Sequence, residues 1–268
     1  MGRRLASQLC TRGFSLRIPA RRRERVKDEL IVLPNTEVIE ADINHADVLG
    51  KMIAGCQTVI NMTGILHETN PGDFRRIHAD LPRMIVNACR SSGVARLVHV
   101  SALKAAHDAP SEYLRSKAAG EQQIRAAEAN GVQTTIFRPS VIFGRDDAFL
   151  NLFAQLAHLS PFIPLACPDA RFQPVYVEDV ARAIAACLDN RKTFSKTFDL
   201  CGPNVYRLQD LVAYVCALRG LKRPIIRLSP TMARLQAWVL ERLPGKLITR
   251  DNLRSMQIDN VCDCEVGS

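Results

Sequence analysis

Residues 95–123 read ARLVHVSALKAAHDAPSEYLRSKAAGEQQ. The stretch opens on an apolar run, Ala95 to Ala102, that reads as a strand covered on both faces. After a loop, Ser111 stands where its hydroxyl can cap a long helix running to Gly131. Near the start of that helix Tyr113 and Lys117 are four residues apart, so their side chains share one face. An ammonium beside a phenol favours the phenolate and lowers the tyrosine pKa toward a working range. Such a pair can pass a proton to or from a substrate oxygen. The spacing alone arises by chance on many exposed helices; its place directly after a buried strand gives it weight.

The alternation continues in both directions. Thr36–Ile43 (TEVIEADI) and Gln57–Gly64 (QTVINMTG) read as strands. Between them NHADVLGKMIAG has helical spacing, with Gly55 as its C-terminal stop. Asp80–Val94 reads as an amphipathic helix ended by Gly93, and QTTIFRPS as a strand ending at Pro139. Strands alternating with helices of this length predict right-handed βαβ units around a parallel sheet. Beyond Gly144 the pattern changes to a short strand, a helix from Val177, and a strand–turn–helix in KTFDLCGPNVYRLQDLVAYVCALRG.

With 268 residues the chain can bury a sizeable core, and 47% hydrophobic with 24% charged residues is ordinary for a globular protein. No uninterrupted apolar run approaches the roughly 18 residues of a membrane span. The net charge of +9 suits an anionic partner such as a phosphate-bearing cofactor or a membrane surface. No zinc-finger spacing or aromatic RNA-binding signature occurs, so nucleic acid is not an expected partner. The nine cysteines lie mostly in apolar helical stretches, as Cys89, Cys187 and Cys216 do, and read as buried free thiols in a reducing compartment. Cys262 and Cys264 have no second pair nearby, so no metal is expected.

Five segments taken together, VINMTG, ARLVHVSA, YLRSK, FRPSVIFG and PVYVEDVARAI, resemble the short-chain dehydrogenase/reductase superfamily, in its extended or atypical branch. The resemblance covers nearly the whole chain. More narrowly, GDFRRIHADLPR, SEYLRSK, ARFQPVYVEDVA and TRDNLRSMQIDN look like bacterial relatives of the NADPH-binding alpha-subcomplex subunit 9 of respiratory complex I. The resemblance implies an α/β, Rossmann-like doubly wound parallel sheet: residues 1–144 as the nucleotide-binding domain and 145–268 as a smaller substrate-side region packed on it. It implies that Asn61, Thr63 and Gly64 pass the cofactor ribose and that Arg138 and Pro139 lie near the nicotinamide. Tyr113 is then the acid/base, and Lys117 tunes it and holds the ribose. The superfamily usually places serine or threonine where Ala102 stands here, leaving Ser101, one residue early and facing the other way along a strand, as the candidate hydroxyl. Losing such a donor costs about 10²–10³ in rate.

A dinucleotide-binding βαβ unit needs a first strand and a glycine-rich turn. Neither occurs here, although MGRRLASQLCTRGFSLRIP fits the helix and second strand that follow one, with Gly2 as the motif's last glycine. The expectation is a chain that begins late, with two strands facing a gap and with weak cofactor binding or poor folding. Arginine after the second strand accommodates the 2′-phosphate of NADP, whereas a carboxylate there binds the hydroxyl of NAD. Arg21 and Arg22 therefore favour NADP(H) over NAD(H). Competing readings of the arginines are a mitochondrial presequence and a solvated helix start, RRRERVKDEL. Asp42 resembles the acidic residue that meets adenine, against a plain turn aspartate.

His67, just beyond the cofactor-loop strand, reads as a surface loop histidine, the alternative being that it faces the substrate. The basic amphipathic segment TMARLQAWVLERLPGKLITR, with the only tryptophan, Trp238, is expected to pack on the sheet, the alternative being a membrane surface or partner subunit. The functional expectation is an NADP(H)-binding, accessory or weakly catalytic protein linked to respiratory complex I or quinone metabolism. It would lie in the cytoplasm, peripherally at the inner membrane, or in the mitochondrial matrix. The alternative is an active NAD(P)-dependent oxidoreductase or sugar-nucleotide epimerase/dehydratase.

Overall fold

The computed structural model describes residues 1–24, 30, 32–145, 147–242 and 248–263. Part of RRRERVKDEL, part of the segment after Trp238, and Cys264 lie outside the described residues. Helix α1 (Gly2–Thr11) buries Leu5, Ala6, Leu9 and Cys10 along one side. It leads into β1 (Leu16–Ala20), which pairs in parallel with β2 (Thr36–Glu40), Leu16 opposite Thr36. Helix α2 (Ala46–Ile53) precedes β3 (Thr58–Asn61), and the left-handed backbone after it falls on Gly55, as the sequence predicts.

Helix α3 (Leu81–Ser91) is entered through a helical turn, Asp73–Arg75, and a π-helical segment, Arg76–Asp80. The sequence reading begins this helix at Asp80 and misses both. Strand β4 (Arg96–Val100) is buried throughout. Helix α4 (Glu112–Ala126) follows, with the Ser111 hydroxyl accepting the Leu114 N–H at 3.2 Å. Strand β5 (Gln133–Pro139) closes this series.

The main sheet is parallel, in the order β10–β5–β4–β3, where β10 is Lys196–Leu200. Strand alternation divides its two faces. Val98, Val100 and Phe137 pack against Leu5 and Leu9 of α1 and Val180 and Ile184 of α6 (Val177–Cys187). Leu97 and Ile136 pack on the other face against Leu81 and Ile85 of α3 and Ile124 of α4. This is the doubly wound α/β arrangement expected. The β1–β2 pair forms a separate sheet, and β1 makes no ladder with β3 among the described residues. Leu16 and Ile60, one from each, nevertheless lie on the same core cluster.

Residues beyond Gly144 add α5 (Ala148–Leu159) and α7 (Leu208–Leu218), packed together with short strands β7 (Ile163–Leu165) and β8 (Arg171–Phe172). Helix α8 (Pro230–Leu240) meets α9 (Arg250–Ser255) through Ala233, Ala237 and Leu253. The expected packing of the Trp238 segment on the sheet is therefore corrected. Alanines hold α8 against α9 and Ala166, while Met232, Leu235, Trp238 and Val239 stay exposed. The cysteine reading is corrected as well. Cys201 and Cys262 form a disulfide, while Cys10, Cys89, Cys187 and Cys216 are buried free thiols. The pairing comes from the segment ending at Cys262, which Asn260 lays alongside β8 and whose Cys262 N–H the buried Gln173 accepts at 3.0 Å.

Candidate active site

Tyr113 and Lys117 sit on the first turns of α4, directly above the end of β4. The Lys117 ammonium is buried and donates to the Val100 carbonyl at 2.9 Å. Burial brings its pKa down to about 8, against the opposing pull of Glu121. Burial also pushes the Tyr113 hydroxyl up to about 12. The sequence reading expects lysine to lower the tyrosine pKa, and the structure corrects it. Tyr113 packs against Phe74, His78 and the Ala102–Leu114 cluster, so desolvation dominates. At neutral pH the phenol is protonated and has a proton to give.

His78, missed in the sequence, organises the site. The Ile65 N–H donates to its Nε2 at 3.0 Å, so Nδ1 carries the proton and faces the Ser116 hydroxyl at 2.8 Å. Ser116 in turn donates to the Tyr113 carbonyl at 2.7 Å. Burial and the Lys117 charge lower the His78 pKa to about 3, so it is neutral. The ring links the loop after β3 to α4. Gly120 allows the approach, because a Cβ there would lie 2.0 Å from the His78 carbonyl oxygen.

Asn61 is buried and spent on internal bonds. Its carbonyl accepts the Thr63 N–H and its amide meets His99 Nδ1, each at 3.1 Å. It shapes the Thr63–Gly64 loop, and a Cβ on Gly64 would lie 3.7 Å from the Lys117 ammonium. Pro139 ends β5 beside the same cavity, and its carbonyl accepts the Leu103 N–H at 2.9 Å. Arg138 turns away to form a two-bond ion pair with buried Glu121 at 2.6–2.7 Å, fixing α4 to β5. Ser101 and Ala102 both line the cavity, but the Ser101 hydroxyl is buried without a hydrogen-bond partner. His67, partly exposed, also lines the cavity, in line with the second of its two readings.

The remaining candidates lie elsewhere. Gly2 begins α1, and a Cβ there would meet the Met62 side chain at 3.8 Å. The start of α1 opens on a cleft of about 270 Å³ lined by Arg3, Arg4, Gly144 and Arg145. Arg21 and Arg22 are exposed just past β1. Asp42 accepts both the backbone and the side-chain amide of Asn44, at 3.1 and 2.6 Å, which makes it a turn aspartate in geometry. Those bonds hold its carboxyl below the usual range. No cluster of potential metal ligands occurs among the described residues.

The sequence pattern of the NAD dependent epimerase/dehydratase family matches residues 1–201. The chain belongs to this family. Among relatives, it is 38% identical over 179 residues to the rat (Rattus norvegicus) mitochondrial NADH dehydrogenase [ubiquinone] 1 alpha subcomplex subunit 9, covering 66% of this chain and 46% of that protein. It is 29% identical over 278 residues to the mitochondrial NADH-ubiquinone oxidoreductase 40 kDa subunit of Neurospora crassa, covering 99% of this chain and 70% of that one. The chain thus spans less than half the length of the rat relative. In fold, it resembles the UDP-glucuronic acid 4-epimerase of Bacillus cereus solved with UDP-glucuronic acid and NAD. The TM-score is 0.72 at 15% identity, covering 96% of this chain and 95% of that one. Epimerase/dehydratase membership accounts for the order of segments the sequence reading matched. No helix among the described residues is long and apolar enough to cross a membrane.

Proposed function

We propose that this chain binds a nicotinamide dinucleotide, NADP(H) in preference to NAD(H), and acts as an accessory, weakly catalytic protein linked to respiratory complex I or quinone metabolism. The observation that carries weak catalysis is at positions 101 and 102: a methyl group stands beside Tyr113, and the neighbouring hydroxyl is buried. The dinucleotide fits the site. Lys117 is pinned to the Val100 carbonyl facing the Gly64 turn, where a ribose hydroxyl can replace solvent, and Pro139 borders the same space. Arg21 and Arg22, with Ala20 rather than a carboxylate ending β1, favour a 2′-phosphate. The complex I link follows the names of the relatives. The exposed stripe Met232, Leu235, Trp238 and Val239 supplies a face for a peripheral station at the inner membrane, on its matrix side if the host is mitochondrial.

The bound cofactor would supply or accept a hydride. The chain's own part is to hold the ribose through Lys117 and to deliver a proton from Tyr113. Titration with NADPH and NADH, read by nicotinamide fluorescence, tests the cofactor. Arg21→Ala with Arg22→Ala should weaken NADPH about tenfold or more and leave NADH nearly unchanged. Equal affinities in the parent chain would refute the preference. Co-purification of the tagged chain with complex I from its own membranes tests the partner. A second reading, a competent reductase, is favoured by the protonated Tyr113 beside Lys117, and turnover abolished by Tyr113→Phe would support it.

A further inference from the structure

The cavity beside Tyr113 is large, about 700 Å³, and its walls are mostly hydrocarbon. Ile65, Leu66 and Met62 form one side, Phe149, Leu152 and Phe153 of α5 another, and Leu253, Met256 and Ile258 a third. Among the described residues, no arginine lines it. Its two lysines have internal partners: Lys117 holds the Val100 carbonyl and Lys104 pairs with Asp263 at 2.5 Å. Its polar groups are largely committed to the fold. Asp147 caps α5 through the Leu150 N–H, Asn252 caps α9 with Thr249, and Asn260 accepts the Val141 N–H. A nucleoside diphosphate needs cationic and amide donors for its phosphates and base. Here both lysines are already paired and the amides are few (Asn151, Gln155, Asn252 and Asn260), while the apolar side chains that make up most of the wall match a chain of methylenes.

We propose that the substrate of this site is a long-chain ketone, or the matching secondary alcohol: an amphipathic molecule with an alkyl or isoprenyl tail in the cavity and its carbonyl at Tyr113. The inference deepens the dinucleotide reading, on which it rests for its reductant. In reduction the carbonyl carbon takes the hydride of a reduced nicotinamide dinucleotide. The C=O π bond breaks, and the oxygen takes the Tyr113 phenol proton, which solvent then restores.

Binding of 2-heptanone, 2-undecanone, 2-pentadecanone, farnesylacetone and UDP-glucose to the 268-residue chain tests this, by calorimetry without cofactor. The expected result is an affinity for the alkanones that rises about fourfold per added methylene until the cavity is full. Comparing 2-pentadecanone with farnesylacetone then separates a straight-chain from an isoprenoid source. Leu152→Asp should weaken 2-pentadecanone binding at least about tenfold. If that variant does not fold, the chain-length series in the parent still decides. An affinity independent of chain length, or UDP-glucose binding more tightly than every ketone, overturns the proposal. A parallel NADPH titration keeps the two readings apart. NADPH binding without ketone binding removes only the substrate class, and ketone binding without NADPH binding removes only the dinucleotide reading.

Discussion

The carboxylate of Asp251 accepts the backbone N–H groups of Glu112 and Tyr113, at 2.8 and 3.0 Å. Residues 138 and 139 positions apart are thereby joined, and a carboxylate sits at the positive end of α4. Asp251→Ala should cost about 1–2 kcal/mol in urea unfolding. Asp251→Asn, which keeps one acceptor, should recover about half of that loss.

Acid should destabilise the protein through its buried imidazoles. His78 titrates near 3 in the folded chain and near its ordinary value of 6.5 once unfolded, so the unfolded chain binds the extra proton between those limits. Stability is therefore full above about pH 6.5 and falls as pH drops toward 3, by up to about 4 kcal/mol from His78. His99, also held neutral by burial, adds to the slope. Urea midpoints measured from pH 7 to pH 4 check this, and His78→Gln should flatten the decline.

The Glu121–Arg138 pair should be expensive to break from one side. Glu121→Gln leaves the Arg138 guanidinium facing a neutral amide in a mostly buried setting and should lose about 3 kcal/mol. Replacing both residues with apolar ones of similar size should recover much of it. A double-mutant cycle reads the difference.

Gly120→Ala places a methyl group against the His78 carbonyl. The helix and the π-helical segment must part, so about 2–3 kcal/mol of stability should disappear. Ketone and nucleotide binding should weaken with it, because His78 carries the Ile65 loop. An alanine variant with unchanged melting would contradict the close approach.

Reduction of the Cys201–Cys262 disulfide opens a loop closed over 61 residues. Chain entropy sets the loss at about 4 kcal/mol, and thermal melts with and without dithiothreitol measure it. Cys262→Ser should melt at the same temperature as the reduced parent chain.

Much of the sheet was legible because its signals are local. Ser111 capped α4, Gly55, Gly93 and Gly131 took positive φ where helices stop, and Pro139 ended β5. What escaped depends on distant partners. Helix α5, AFLNLFAQLAHL, carries its helical period only in Asn151, Gln155 and His158, at i, i+4 and i+7, a signal the sequence reading passed over. His78 looks like any helix histidine until the Ile65 N–H and Ser116 reach it. The Tyr113 shift went the opposite way because burial is a tertiary quantity that spacing does not encode. Cys201 and Cys262 have no sequence feature that pairs them across 61 residues.

The segment from Asp251 to Cys262 has a consequence for the timing of synthesis. Every strand of the main sheet, β3 to β10, is complete by Leu200. The Asp251 acceptors for the first N–H groups of α4, one wall of the cavity and the anchor on Gln173 come only from residues 251–262. A ribosome-bound chain can therefore form its main sheet while α4 has only its Ser111 cap and Tyr113 lies beside an open, largely apolar trough. The nascent protein would be stickiest after Leu200 and before residue 262 emerges, when a chaperone would have the most exposed apolar surface to hold.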